Sequence, residues 1–131
     1  MMYLLDTNTL IYFFKGFGKV SERLLAKPPK TIGIPAVVLY ELNVGIQKSQ
    51  AAETRRIQLN RLLQTTKTYP FGPAEALASA TIRVALEKQG TPIGPLDVLI
   101  AGTAMTHNAI LVTHNCKEFS RIQGLTFEDW Y

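Results

Sequence analysis

Residues 2–14, MYLLDTNTLIYFF, set the pattern from which the fold can be predicted. A short apolar run is followed by Asp6, Thr7 and Asn8, which are residue types that commonly start helices. The stretch therefore predicts a strand, a turn at residues 6–8 and a helix through about Lys15. This places the Asp6 carboxylate in apolar surroundings, where an unpaired charge costs several kcal/mol. A cation, a set of hydrogen-bond donors or the open end of a strand must stabilise it.

Strand-like and helix-like segments alternate along the rest of the chain. Further strands are predicted at TIGI (31–34), TYPF (68–71), AILVT (109–113) and LTF (125–127). Helices are predicted at residues 20–27, 35–50, 52–66, 73–89 and 96–108, with a loop at residues 91–95. Such alternation is typical of an α/β fold with a mostly parallel sheet flanked by helices. Ligands bind at the carboxyl ends of such strands, which is where Asp6 is expected to lie.

Length and composition limit the classes of protein to consider. The 131 residues predict one domain, 1–131, and the 47% apolar content is ordinary for a globular protein. No apolar stretch is long enough to suggest a membrane span, and the first residues do not resemble a signal peptide. The single cysteine, Cys116, cannot form an internal disulfide, which is consistent with the cytoplasm.

The charge balance favours an acidic partner. The net charge is +4 and the isoelectric point is about 9.3, as expected of many nucleic-acid-binding proteins. Basic residues concentrate in two stretches, 15–30 and 55–67. These stretches are either two solvated helix faces or two rims that hold phosphates.

Three of the ten acidic residues interrupt apolar sequence. Besides Asp6, these are Glu41 within AVVLYELNVGI and Asp97 within IGPLDVLIAGTAM. Each has a possible structural explanation, because Asp6 could cap a helix, Asp97 could stabilise a helix N-terminus, and Glu41 could pair with a buried arginine. Convergence of all three at one site explains them more economically.

Converging carboxylates need a compensating charge, since they repel one another and burial raises their pKa values. Hard oxygen ligands suit Mg²⁺, with Mn²⁺ as the alternative. Zinc is disfavoured because Cys116, His107 and His114 lack the usual ligand spacing. A magnesium site in a basic protein points to phosphodiester chemistry.

Four segments, in this order, resemble the PIN-domain ribonucleases, specifically the VapC toxins of type II toxin–antitoxin systems. They are LLDTNTLIYFFK, PAVVLYELNVGIQKS, GTPIGPLDVLIAGTAM and ILVTHNCKEFSRIQGLTFEDW. The resemblance implies a PIN-like fold with an acidic pocket at the carboxyl ends of the strands. It also implies a Mg²⁺-dependent endoribonuclease that leaves a 3′-hydroxyl and a 5′-phosphate.

The resemblance further assigns roles to residues by position. Asp6 and Asp97 match the metal-holding aspartates of the family, and Glu41 matches the acid on the third helix. Accessory positions around these acids are Thr7, Asn8, Thr113, Asn115 and Glu118. Asn115 stands where many PIN domains have a fourth acid, so a second bound metal is in doubt. Glu118 either substitutes for that acid or is a surface residue near Lys117 and Arg121.

The same resemblance implies partners. Structured RNA is the expected substrate, with tRNA preferred and the initiator tRNA anticodon stem-loop as the first to test. A VapB-like antitoxin is expected to lay a peptide across the pocket, and a homodimer is the family norm. Two alternatives remain: a non-catalytic PIN-like binding module for RNA or protein, and a haloacid-dehalogenase-like phosphatase. The phosphatase would need a second aspartate where the chain has Asn8.

The aromatic residues are expected to have mainly structural roles. Tyr12, Phe13, Phe14 and Tyr40 are expected in the core more than in base stacking. His114, beside the terminal motif, could contact RNA, although a loop histidine is more often merely exposed. Trp130 and Tyr131 are expected to pack against the fold.

Overall fold

The structure, a computed structural model, describes residues 1–131. Five strands and seven α-helices alternate along the chain, and the sequence predicts all of them except the short helix α7. In chain order they are β1 Tyr3–Leu5, α1 Thr7–Lys15, α2 Val20–Leu25, β2 Ile32–Pro35, α3 Ala36–Lys48, α4 Ala52–Leu63, β3 Lys67–Tyr69, α5 Pro73–Gln89, α6 Pro95–Thr106, β4 Ile110–Val112, α7 Cys116–Phe119 and β5 Phe127–Glu128, with one 3₁₀ turn at Pro29–Thr31.

The sheet is parallel throughout, with strand order β3-β2-β1-β4-β5. Strand β1 is central, and Tyr3 pairs with Ile32 on one side and with Ile110 on the other. Helices cover both faces, so β2 and β4 are buried along their whole length, as expected for parallel strands. The predicted α/β class and parallel sheet are confirmed. No helix combines the length and the apolar character needed to cross a membrane.

Packing around β1 and the neighbouring β2 is tight enough to restrict which side chains fit there. A Cβ added at Gly33 in β2 would lie 2.4 Å from the Tyr69 ring and 2.5 Å from a methyl group of Leu4. Only glycine at position 33 therefore lets the Tyr69 side chain of β3 pack over β2. Trp130 is 2% exposed and packs on Tyr3, with ring centroids 5.3 Å apart.

Several predicted boundaries are wrong by a few residues. Pro35 ends β2 instead of opening the helix, because its extended backbone makes it the N-cap of α3. Helix α6 begins at Pro95, which the sequence assigned to a loop, since proline fits the first turn of a helix. Strand β3 stops at Tyr69 because Pro70 cannot donate a ladder hydrogen bond. Strand β5 covers Phe127–Glu128 instead of LTF.

Candidate active site

Asp6 lies directly after β1 and forms the N-cap of α1. Its Oδ1 accepts a hydrogen bond from the Thr9 amide at 2.9 Å, and its own amide donates to Val112 O at 3.1 Å. The side chain is buried, at 5% exposure, and this burial raises the pKa of the carboxyl. The hydroxyl groups of Thr113 and Thr9 oppose that rise by favouring the charged form, whereas the nearby Glu41 adds to it. Asp6 is thus both a structural cap and a member of an acidic group.

Asp97 occupies the first turn of α6 and points to the same acidic group. Burial raises the pKa of Asp97 to about 6, and the charges of Asp6, Glu118 and Glu41 contribute in that order. Four carboxylates from four segments therefore influence one another across one end of the sheet. The three acids singled out by sequence are brought together, and Glu118 joins them.

Glu41 reaches the site from the second turn of α3. Its Oε1 accepts a hydrogen bond of 2.7 Å from the Thr7 hydroxyl, at the start of α1. This contact links two helices that follow different strands. No arginine pairs with Glu41, so the ion-pair explanation considered for this residue is wrong.

The loop after β4 supplies the remaining polar groups. Thr113 is fully buried, and its Oγ1 accepts a hydrogen bond from the Asn115 amide at 3.0 Å. Asn115 in turn donates from Nδ2 to Glu118 Oε2 at 2.9 Å, which turns Glu118 toward the pocket. Glu118 is half-buried and makes no ion pair with Lys117 or Arg121. Asn8 is exposed, and its side chain makes no hydrogen bond within the chain.

The donor set fits a divalent cation that keeps much of its water. All its side-chain ligands would be oxygens. Burial and the neighbouring carboxylates raise the pKa values of Asp6 and Asp97, and a bound cation would offset both effects. No three acidic, histidine or cysteine side chains lie close enough together to hold a metal ion between them. Mg²⁺ does not need three such ligands, since it is usually held by one or two carboxylates together with waters and substrate phosphate.

A groove of about 260 Å³ opens beside Glu41. Helices α1 and α3 form its apolar walls, and Lys15 and Arg55 lie at its rim. The Arg55 guanidinium is held in place by Phe14 O, at 3.2 Å, and by Gln58 Oε1, at 2.9 Å. The partly apolar groove therefore adjoins the acidic site at Glu41.

Comparison with known proteins identifies the family of this fold. Residues 3–125 match the PIN domain family. The chain belongs to the PIN-domain family. It is 36% identical over 131 residues to the tRNA(fMet)-specific endonuclease VapC of Shigella flexneri, covering 99% of this chain and 98% of that protein. It is 38% identical over 133 residues to Ribonuclease VapC2 of Rickettsia felis, with the same coverage.

A solved structure agrees with these relatives. A chain in the crystal structure of VapBC2 from Rickettsia felis, bound to a DNA fragment from its promoter, superposes with a TM-score of 0.92. The two chains are 35% identical and cover each other completely. Within the PIN-domain family, the chain is therefore a member of the VapC ribonucleases. The haloacid-dehalogenase-like alternative is set aside by this membership.

Two polar residues of this PIN domain escaped the sequence analysis. Thr9 is buried. Its amide donates to the N-cap Asp6, and its Oγ1 donates to Val112 O at 3.1 Å, which ties α1 to β4. The signal was available, because Thr9 stands three residues after a helix-capping aspartate. Glu75 is also buried, at 7% exposure, and accepts hydrogen bonds from the Gly72 amide and from His107. It lies in the first turn of α5, where a capping glutamate is expected, so the buried carboxylate stabilises the N-terminus of this helix.

Proposed function

We propose that the chain is a divalent-metal-dependent endoribonuclease toxin of a VapBC pair, acting as a single PIN domain over residues 1–131. The observation that carries the proposal is the convergence of Asp6, Glu118 and Glu41 on the half-buried Asp97. Burial first, and then the charges of these three acids, raise the pKa of Asp97 to about 6. Such a cluster disfavours its own ionisation in the free protein, so a cation that neutralises it gains affinity.

Individual roles follow from the contacts. Asp6, Glu41 and Asp97 would hold Mg²⁺, or Mn²⁺ in its place. Thr7 keeps the Glu41 carboxylate directed at the site through its 2.7 Å hydrogen bond, and Thr113 does the same for Asp6. Asn115 positions Glu118 through its amide, so Glu118 would act on metal-bound groups at the rim.

The reaction is hydrolysis of a phosphodiester. Water attacks phosphorus in line with the leaving 3′ oxygen, the P–O3′ bond breaks, and the 3′ oxygen takes up a proton. The products are a 3′-hydroxyl and a 5′-phosphate. When bound, the metal lowers the pKa of water and offsets the charge that develops on the phosphate. The carboxylates would hold the cation and orient the attacking water, and positioning of this kind contributes a large part of catalysis in such transfers.

Structured RNA is the substrate class, with tRNA preferred. Relatives from Shigella flexneri and Salmonella typhimurium are named as endonucleases specific for tRNA(fMet), at 36% and 32% identity. Initiator tRNA is therefore the first substrate to test. Basic residues on α1 and α2 would supply affinity for the phosphate backbone that weakens with salt.

A VapB-like antitoxin is the proposed protein partner. The groove beside Glu41 has apolar walls that suit an extended or helical peptide, and its acidic end would accept an arginine from that peptide. The solved relatives are VapBC complexes, which supports this pairing. We also propose a homodimer, since Tyr40 and Val44 leave an exposed apolar face on α3, and a cytoplasmic location, where the RNA is found.

End-labelled initiator tRNA and elongator tRNA incubated with the purified, antitoxin-free protein test the proposal. We expect one discrete cut in Mg²⁺, none in EDTA and none with Asp97→Asn. Sequencing the product ends identifies the bond. If a well-folded protein cuts no RNA but still binds RNA or an antitoxin, the non-catalytic binding module is correct and the nuclease proposal is wrong.

A further inference from the structure

Four rings form a partly exposed cluster, which we call the aromatic patch: Tyr12, Phe17, His114 and Tyr131. The His114 and Tyr131 rings are stacked, with centroids 4.3 Å apart and planes at 21°. Tyr12 meets Tyr131 edge-on at 5.0 Å and His114 at 5.9 Å, while Phe17 lies 6.4 Å from Tyr12. The sequence pattern does not predict this cluster, since Tyr12 and Phe17 lie near one end of the chain and His114 and Tyr131 near the other.

The aromatic patch is held in position by hydrogen bonds. Both carboxylate oxygens of Asp129 accept hydrogen bonds from the patch. Oδ1 accepts from the Tyr131 amide and Oδ2 accepts from His114 Nδ1, each at 2.9 Å. The Lys19 amide donates to Tyr131 O at 2.9 Å. A Cβ at Gly18 would lie 2.8 Å from Tyr131 Cγ, so the turn at Gly18 fits against this ring. The rings are therefore preorganised.

Exposure distinguishes these rings from core aromatics. Phe17 is 47% exposed and Tyr131 is 46% exposed, whereas the neighbouring Trp130 is 2% exposed. The His114 side chain is 47% exposed. Rings that only filled the core would be buried as Trp130 is, yet these are fixed and half open to solvent. The expectation that Tyr131 packs against the fold as Trp130 does is only partly correct.

The aromatic patch borders the acidic site. His114 lies between Thr113, whose hydroxyl acts on Asp6, and Asn115, which binds Glu118. On the other side lie two cations. Lys15 Nζ lies 5.9 Å from the Phe17 centroid, and Arg23 is within electrostatic reach of Asp129. This combination of open ring faces and positive charge, next to a phosphodiester site, suits single-stranded nucleic acid.

We propose that the aromatic patch is a stacking platform for an unpaired nucleotide of the RNA substrate, next to the bond that is cut. The inference deepens the proposed ribonuclease function and rests on it. Tyr131 and His114 would offer their faces to the base, and Lys15 and Arg23 would contact the adjoining phosphates. RNA is favoured over a protein occupant because two cations lie beside the rings, whereas the apolar groove is elsewhere, beside Glu41. The platform would favour loops and unstacked ends, which is where proteins usually read RNA.

The test compares Tyr131→Leu with the conservative Tyr131→Phe. Leucine keeps the backbone contacts of residue 131 and its apolar bulk but lacks a ring face, while phenylalanine keeps the ring. Leu77→Ala serves as a matched surface control, since Leu77 is 70% exposed on α5. The kcat and KM for initiator tRNA in Mg²⁺ are measured for each variant. In parallel, fluorescence anisotropy measures binding of labelled decauridine in EDTA, which does not depend on cleavage.

We expect Tyr131→Leu to raise KM and the decauridine Kd on the order of tenfold, with kcat within about twofold. Tyr131→Phe and Leu77→Ala should behave as wild type, and melting temperatures should agree across the set. If wild type cleaves RNA and Tyr131→Leu has an unchanged KM, the stacking proposal is overturned while the ribonuclease stands. It is also overturned if Tyr131→Leu weakens only antitoxin binding. If wild type does not cleave but decauridine binding still distinguishes leucine from phenylalanine, the ribonuclease proposal fails and the platform stands. Absence of both cleavage and binding overturns both.

Discussion

Replacing Asp97 with asparagine should stabilise the metal-free protein. The pKa of Asp97 is about 6 in the folded chain and 3.8 in its ordinary state, because burial and three neighbouring carboxylates disfavour the charged form. Between those values the folded state binds more protons than the unfolded state, so stability falls as pH rises through this window. Asp97→Asn removes the charge but keeps the shape of the side chain. At pH 7.5 the variant should therefore unfold at a higher temperature than wild type.

The magnitude follows from the size of the shift. About two pKa units correspond to about 3 kcal/mol, at 1.36 kcal/mol per unit. Asp97 is only half-buried, so solvent screening reduces this to about 1–2 kcal/mol. For 131 residues such a gain raises the melting temperature by about 3–6 °C.

Thermal unfolding in EDTA at pH 5 and pH 7.5 measures this effect. The gain should be smaller at pH 5, where wild-type Asp97 is largely protonated. Glu53→Gln is the matched control, because the Glu53 side chain is 82% exposed and its removal should change little. With Mg²⁺ added, wild type should gain more stability than Asp97→Asn. A variant that is no more stable than wild type in EDTA at pH 7.5 would refute the idea that the carboxylates lack a compensating charge.

Three further changes test other contacts. Thr7→Val removes the 2.7 Å hydrogen bond to Glu41 and should lower the tRNA cleavage rate about tenfold with little change in melting temperature; an unchanged rate would mean that the contact does not orient Glu41. Ser79→Ala removes a buried hydroxyl that has no hydrogen-bond partner and should stabilise the fold by about 1 kcal/mol in urea unfolding; a loss of stability would indicate an unseen partner. The pKa of Glu75 is lowered by backbone hydrogen bonds, first from its own amide and then from that of Gly72, and by His107. The contribution of Glu75 to the free energy of unfolding is therefore present above pH 4.5 and is lost as pH falls through the lowered pKa. Glu75→Gln should flatten the acid limb of the stability curve, and an unaltered limb would contradict this.

The acidic site could be predicted because it violates a local pattern. Asp6, Glu41 and Asp97 each interrupt apolar sequence, and the strand–helix alternation places residues that follow parallel strands at one edge. The structure brings these three acids to one end of the sheet. From the sequence alone, the only argument for this was that one shared site is a simpler explanation than three separate ones. Glu118 could not be assigned from sequence, because its direction depends on a hydrogen bond from Asn115 in a helix of only four residues.

Surface features were less predictable. Tyr40 was expected in the core but is 61% exposed, because α3 turns its Val38 and Leu42 side inward. The aromatic patch was missed because it depends on contacts between separate segments. Asp129 joins His114 to Tyr131, and Tyr12 of α1 meets both rings from the other end of the chain. Periodicity describes single elements and does not predict which loops meet.

The most direct test of the account is cleavage of initiator tRNA by wild type and by Asp6→Asn, each with Mg²⁺ and with EDTA. Asparagine retains an oxygen that can accept from the Thr9 amide, so the N-cap and the fold are preserved while the charge is lost. The account predicts a discrete cut by wild type in Mg²⁺ alone and background cleavage in the other three reactions. Cleavage that persists in EDTA, or in a folded Asp6→Asn protein, would contradict it.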